Sequence, residues 1–332
     1  MSPYKHLTLK ERETILLGIN NGWTQELIAK EIGRSKSTIS REVSRNGGWE
    51  NYSVADAHAR YQDVRQSCRR HRILDRPEVR ECVITFITQY HWSPEQIAGR
   101  LRHENSDIQI SYPTIYRGIY HDNLGVPLKS RGARGLPRQL RHRGKTRKVK
   151  GTINERRGRF NDVPSIHERP VSAEKRSWFG HWEGDTVRGK TGRSALVTLV
   201  DRKSRFLLSM RVSKVNADNV KDAMVALLGA QPNNRVRTVT PDRGTEFARY
   251  RELAEELNAK VFFPDPHAPQ QRGTNENTNG LIREYFPKNT DLDLQSDEAI
   301  EAFVEQLNNR PRKVLGWKTP SEVYLGKKLH LS

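Results

Sequence analysis

The sequence predicts a multidomain chain: an all-α N-terminal region with a helix-turn-helix, then an α/β core built on a mixed five-stranded sheet. Three observations predict this. Capped, helix-periodic segments fill roughly the first 125 residues, a run of cations without apolar periodicity follows, and from about residue 178 short apolar runs alternate with turns and amphipathic helices. The expected divisions are 1–48 for the first helical domain, 49–125 for a second helical region, 126–175 for a basic linker and 176–332 for the core.

Within the first domain, Thr8 and Glu11 make a T-x-x-E capping box ahead of a helix that stops at Asn20-Asn21-Gly22. Thr24 caps a second helix, QELIAKEI, which ends at Gly33, and SKSTISREVSRN forms the third. Ala29, Gly33 and Ile39 have helix-turn-helix spacing: a small residue for close approach, a glycine for the turn, an apolar anchor on the next helix. Glu42 departs from the usual apolar residue, and Val43 is expected to take the inward role. The opposite face of the third helix then carries Lys36, Ser37, Ser40, Arg41, Ser44 and Arg45, donors suited to base edges and phosphates. A solvated charged face on a plain three-helix bundle is the competing reading.

The second region holds PEVRECVITFITQYH, then WSPEQIAGRL and SYPTIYRGIY, the last two opening with Ser93-Pro94 and with Ser111 two residues before Pro113. A second helix-turn-helix with a long turn and plain helical packing both fit; in the first case Arg117 is a candidate DNA contact. Between Lys129 and Arg159 stand 13 Lys and Arg against one acid, Glu155. Such a segment repels itself unless phosphates neutralise it, which makes Arg141, Arg143, Lys145, Arg147 and Lys148 candidate DNA contacts.

In the core, FGHWEGDTV, SALVTLV and RFLLSMRV read as three consecutive strands, followed by helix ADNVKDAMVALLGA, strand RVRTVTPD, helix FARYRELAEELNA, strand KVFFPDP and C-terminal helices. This is the order of an RNase H-like core. Asp185 falls on the first strand and Asp242 ends the fourth. Glu276 starts the helix after the fifth, inside the polar stretch PHAPQQRGTNENTNG. Three acids gathered from separate elements repel one another unless cations sit between them. A pair of Mg²⁺ ions, with Mn²⁺ able to substitute, removes that penalty and clamps the oxygens of a phosphodiester. Gly273 and the small polar residues admit a DNA backbone, and Asn275, Asn277 and Asn279 offer hydrogen bonds to it. Arg283, seven residues beyond Glu276, shares its helix face and can hold a phosphate. Among rival acids, Asp201 is expected to form a turn and pair with arginine, Glu183 to support Asp185, and Glu246 to cap the following helix. His181 and His267 flank the site without zinc spacing.

Composition supports a polyanionic partner: 58 Lys+Arg against 39 Asp+Glu leave a formal +19. Apolar runs such as AMVALLGA fall far short of the roughly 20 residues needed to span a bilayer. The segment MSPYKHLTLKERE has no apolar core of a signal peptide, and Cys68 and Cys82 make no C-x-x-C pattern. The expectation is a reduced, cytoplasmic, nucleoid-associated protein that binds double-stranded DNA, with no membrane and no small-molecule substrate.

GHWEGDTV, SALVTLVDRKSRF, PDRGTEF and PHAPQQRGTNENTNGLIREYFPK resemble the catalytic signatures of insertion-sequence-30 family transposases, in the DDE transposase and retroviral integrase superfamily. The 33 residues between Asp242 and Glu276 match that family's spacing, and HLTLKERETI, STISREVSRN and WSPEQIAGRL resemble its N-terminal DNA-binding regions. The resemblance implies a bacterial transposase that binds terminal inverted repeats and cuts and joins DNA strands. In that reading Asp185, Asp242 and Glu276 form the triad and ligate the metals, and a homodimer or larger assembly holds the DNA ends. The alternative is a helix-turn-helix repressor with an inactive transposase core; a general metal nuclease is a third reading. Pro241, directly before Asp242, is unexpected beside a catalytic strand because it removes a ladder donor.

Overall fold

The computed structural model describes residues 5–68, 72–130, 133, 135–140, 163–190, 192–266 and 268–330. The chain divides into two units, Met1–Arg72 and Ile73–Ser332.

In the first unit, α1 (Leu9–Asn20), α2 (Gln25–Glu31), α3 (Lys36–Arg45) and α4 (Val54–Ser67) enclose Ile15, Ile28, Ile39, Val43 and Tyr52. The Thr8–Glu11 capping box closes in both directions, and the Thr24 hydroxyl caps α2. A Cβ at Gly18 would lie 2.6 Å from Ile28 Cγ1, so the lack of a side chain lets α1 and α2 pack closely. Gly33 turns the chain at φ +65°. Glu42 has a physical account: its carboxylate accepts from the buried Arg12 guanidinium at 2.7 Å, so an ion pair fills the place of an apolar contact. Val43 is buried as expected. Because α4 packs on α1, burying Ala57, the boundary expected after residue 48 falls inside this unit.

The second unit opens with α5 (Pro77–Thr88), α6 (Pro94–His103) and α7 (Tyr112–Asp122), packed around Val83, Ile87, Ile97, Ile115 and Ile119. Ser93 and Gln96 form a capping box, and Ser111 caps α7. After the short helix α8 (Val171–Glu174) comes the sheet: β1 (His181–Arg188), β2 (Ala195–Asp201), β3 (Leu207–Val212), β4 (Thr238–Thr240) and β5 (Lys260–Val261). The order is β3-β2-β1-β4-β5, antiparallel from β3 to β1 and parallel from β1 to β5.

Every residue of β2 is buried because helices cover both faces. On one side α9 (Ala217–Gly229) and α10 (Tyr250–Glu256) meet Trp182, Val197 and Leu199. On the other, α11 (Gly273–Tyr285) and α12 (Asp297–Asn308) meet Val187, Leu196 and Val200, and α13 (Pro320–Leu325) follows. β4 and β5 are shorter than the sequence suggests: a 3₁₀ turn takes Asn233–Arg235, and Phe263 leaves the sheet to bridge Ser165. With β4 ended at Thr240, Pro241 lies beyond the strand, and the anomaly disappears.

Polar contacts of Arg100 and Gln96, among others, tie α6 to the C-terminal segment. The Arg100 guanidinium donates to both Glu322 oxygens, at 2.6 and 2.9 Å, and to Glu104. Gln96 donates to the Pro311 carbonyl at 2.7 Å. The second helical region and the sheet therefore belong to one compact unit.

Candidate active site

Parallel pairing sets His181 opposite Thr238, Trp182 opposite Val239 and Glu183 opposite Thr240. Strand alternation puts His181, Glu183 and Asp185 on one face, with Thr238, Thr240 and Asp242 in step beside them. Asp185 and Asp242 each follow the last paired position by two residues and come together at the carboxyl ends of the parallel strands.

Asp185 Oδ1 accepts the Thr186 N–H at 2.8 Å, Oδ2 accepts from the Asn279 amide at 2.9 Å, and Oδ2 forms an ion pair with Arg272 at 3.0 Å. Arg272 also donates to the Gly184 carbonyl at 2.8 Å, which fixes the guanidinium against β1. Asp242 Oδ1 accepts the Gly244 N–H at 2.8 Å. Burial first, then the Asp185 charge, push the Asp242 carboxyl up to about 6; Arg272 and the Gly244 N–H oppose this, and Glu246 adds to it.

The helix α11 lies along β1. The Asn275 N–H donates to Glu183 Oε2 at 2.9 Å, Asn279 reaches Asp185, and Arg283 donates to the Arg188 carbonyl at 2.9 Å. Glu276 lies in the first turn on the same stripe as Asn279 and Arg283, and it is exposed. Among the described residues, no three His, Cys, Asp or Glu side chains are placed to hold a metal ion. The structure thus brings Asp185 and Asp242 together and leaves Glu276 outside the pair. Buried side-chain oxygens of Thr240, Asn275 and Asn279 have no partner within the protein. The two carboxylates offer hard oxygens, the ligand chemistry that suits a divalent cation such as Mg²⁺.

Residues 3–46 match the family described as helix-turn-helix domain, and residues 176–269 the family described as integrase core domain. The transposase InsI of insertion sequence element IS30C from Escherichia coli (strain K12) is 41% identical over 325 residues, covering 96% of this chain and 83% of that one. The chain belongs to the insertion-sequence-30 transposase family. The transposase of element IS1086 from Cupriavidus metallidurans is 34% identical over 332 residues, covering 96% of this chain and 94% of its own. Among solved structures, the catalytic core domain of BIV integrase matches 44% of this chain and 93% of its own, at 19% identity and a TM-score of 0.35. Integrase cores typically use a divalent metal.

Several residues of this transposase do something other than expected. Glu246 caps no helix. It accepts from the Thr186 hydroxyl at 3.0 Å and from Arg188 at 3.5 Å, and a Cβ at Gly244 would run into both it and Asp242. Arg283 is engaged by the Arg188 and Phe286 carbonyls, and burial holds its guanidinium below its ordinary range. Asp201 does form a turn, accepting from the Ser204 hydroxyl and from the N–H groups of Ser204, Lys203 and Gly180. The arginine of that turn, Arg202, goes instead to Glu183, which is fully buried. Glu183, expected to support Asp185, accepts the Asn275 N–H and so holds the first turn of α11 against β1.

His181 is buried between Thr238 and Ser172. Burial, then the charges of Arg237, Arg169 and Arg202, push it down to about 4, so it is a neutral structural residue. Asn275 is buried, whereas Asn277 is exposed. Arg272 escaped the sequence reading; its position four residues before Glu276 was the available signal.

On α3, Lys36, Ser37, Arg41, Ser44 and Arg45 are exposed and Ser40 is half-buried, opposite Ile39 and Val43. Arg117 is exposed on α7. Arg141, Arg143, Lys145, Arg147, Lys148 and His267 lie outside the described residues.

Proposed function

We propose that this transposase binds the terminal inverted repeats of its element through α3 and the second helical region, then cuts and joins DNA strands with Asp185, Asp242 and Glu276. The observation that carries this reading is the parallel β1–β4 register, which sets two carboxylates side by side where burial and mutual repulsion drive one of them up to about 6. Strongly perturbed acids that share a cleft support a functional site, and a bound cation would relieve their repulsion.

Asp185, Asp242 and Glu276 would hold the metal. When bound, a pair of Mg²⁺ ions supplies charge stabilisation to the attacking and leaving oxygens of a phosphodiester. Glu183 and Asn279 keep α11 seated on β1, and Arg272 supplies a fixed positive charge at Asp185. The pairing of DNA ends calls for at least two protomers, so the end complex should weigh as a dimer or larger in a native mass measurement; one protomer would overturn that.

The test is strand cleavage in Mg²⁺ on DNA carrying the repeats that flank this gene. Wild type should cut at the repeat boundary, and Asp242→Asn should bind the ends and leave them uncut. Arg41→Ala should weaken end binding by about 1–3 kcal/mol with relaxed sequence preference; unchanged preference would remove Arg41 from base contact. A repressor with an inactive core is the second reading. It is favoured by one observation: Arg272 already occupies Asp185 while Glu276 stands exposed. Specific binding without cleavage by wild type, in Mg²⁺ and in Mn²⁺, would establish that reading instead.

A further inference from the structure

The end of the sheet opposite Asp185 and Asp242 carries a second concentration of positive charge. There a cavity of about 210 Å³ is lined by Trp178, Phe179, Lys203, Asn234, Arg235 and Arg237, among others. Backbone packing builds it. Gly180 takes φ +89°, and a Cβ there would lie 2.7 Å from the Arg235 carbonyl carbon, so only glycine lets the entry to β1 press against the turn before β4. The Trp182 indole N–H then donates to the Arg235 carbonyl at 2.8 Å, and the Arg237 N–H to the Gly180 carbonyl at 2.8 Å.

That packing stacks cations on rings. Arg235 lies 4.0 Å from the Phe179 ring centre and 4.8 Å from that of Tyr324, Lys203 lies 4.2 Å from Phe179, and Arg237 lies 4.7 Å from Trp178. Trp178 remains 56% exposed. Among the described residues no ion pair involves Lys203, Arg235 or Arg237, and Arg235 Nη1 is buried without a hydrogen-bond partner within the protein. Lys175 and Arg176, just before the cavity in sequence, are exposed as well.

We infer that this cavity is a second DNA site on the catalytic unit, where phosphates lie against Lys203, Arg235 and Arg237 and a base stacks on Trp178. Cations without acids suit phosphates, and an exposed indole beside them suits the face of a base; this pairing of features is how strands are held without sequence preference. Trp178 lies before β1, and from His181 to Asp185 the strand rises about 13 Å, the length of about four nucleotides of DNA. The site would thus grip DNA well away from the scissile bond, flanking or target, which steadies the strand while its ends are exchanged. It takes from the preceding reading only that the chain handles DNA.

The experiment titrates the full chain with an oligothymidylate of about 20 nucleotides across a range of salt. Trp178→Ala should weaken binding about 5- to 150-fold, with most of it restored in Trp178→Phe. The double substitution Lys203→Gln, Arg237→Gln should lower the slope of log affinity against log salt by about 1.4, for two lost phosphate contacts on a single strand. Wild-type affinity and slope in all of these variants would overturn the site. If Trp178→Ala fails to fold in a thermal melt, the double variant alone decides. Cleavage at the repeat boundary is measured in parallel. Cleavage intact with unchanged slopes removes this site and leaves the catalytic reading standing. Altered slopes in a chain that never cuts do the reverse.

Discussion

The Arg100 cluster and the Asp185–Asp242 pair bury similar charges in one unit and treat them in opposite ways. At the first, one guanidinium meets the carboxylates of Glu104 and Glu322, and it also donates to the Trp317 and Leu329 carbonyls. Burial pushes Glu322 up, but Arg100 and the Thr319 and Leu329 N–H groups outweigh it and hold the carboxyl down at about 2. At the second, two carboxylates share one guanidinium, a third carboxylate adds repulsion, and Asp242 rises to about 6. Charge buried for architecture arrives with its partners. At Asp185 and Asp242 negative charge is left in excess.

The contrast is broken most directly at Arg100. Arg100→Ala should destabilise the second unit by about 3–5 kcal/mol in urea unfolding, because it strands two buried carboxylates. Arg100→Met combined with Glu104→Leu and Glu322→Met should recover most of that loss; no recovery would mean the cluster contributes more than paired charge.

His181 extends the contrast to a buried base kept neutral. Its folded value of about 4 lies below the ordinary 6.5, so the folded chain resists the proton. Stability should therefore fall by up to about 3 kcal/mol as pH drops from 6.5 to 4. His181→Asn should flatten that part of the curve in thermal melts taken against pH.

Asp242→Asn should carry the opposite sign to Arg100→Ala and stabilise the fold by about 1–3 kcal/mol at pH 7. The Asp242 carboxyl titrates at about 6 when folded against an ordinary 3.8, so the folded state holds the proton more tightly. The penalty is full above 6 and relieved as pH falls toward 4, and the advantage of the variant should fade over the same window. A mutant less stable than wild type at pH 7 would show that the pair is compensated after all.

The smallest effect belongs to Lys36, whose exposed pair with Glu26 spans 2.6 Å. Lys36→Ala should leave the unfolding midpoint unchanged and weaken DNA binding, which separates a solvated pair from both buried clusters.

The helix-turn-helix was legible because its signals are local: a cap at Thr24, a glycine at the turn, and Ile39 and Val43 one helical turn apart. Asp185 and Asp242 were legible because strand alternation fixes a side in advance. Glu42 could be seen as a departure, but Arg12, 30 residues away, explains it only once folded. Glu246 was expected to cap a local helix, and it is claimed by Thr186 and Arg188 of β1 instead; Arg283, expected to hold a phosphate, also donates to the Arg188 carbonyl. Glu276 has the family spacing, yet spacing along a helix does not say which way the first turn faces.

By itself, the sequence determined the order of strands and helices, the outward-facing polar and basic residues of α3, and the placing of Asp185 and Asp242 at the ends of neighbouring strands, because periodicity and capping act over a few residues. Tertiary structure alone decided that α5–α7 belong with the catalytic unit, that Arg272 sits on Asp185, and that cations gather around Trp178 at the far end of the sheet. Those outcomes join residues tens to hundreds of positions apart. Burial and charge select such partners only after the sheet has fixed which side chains can meet.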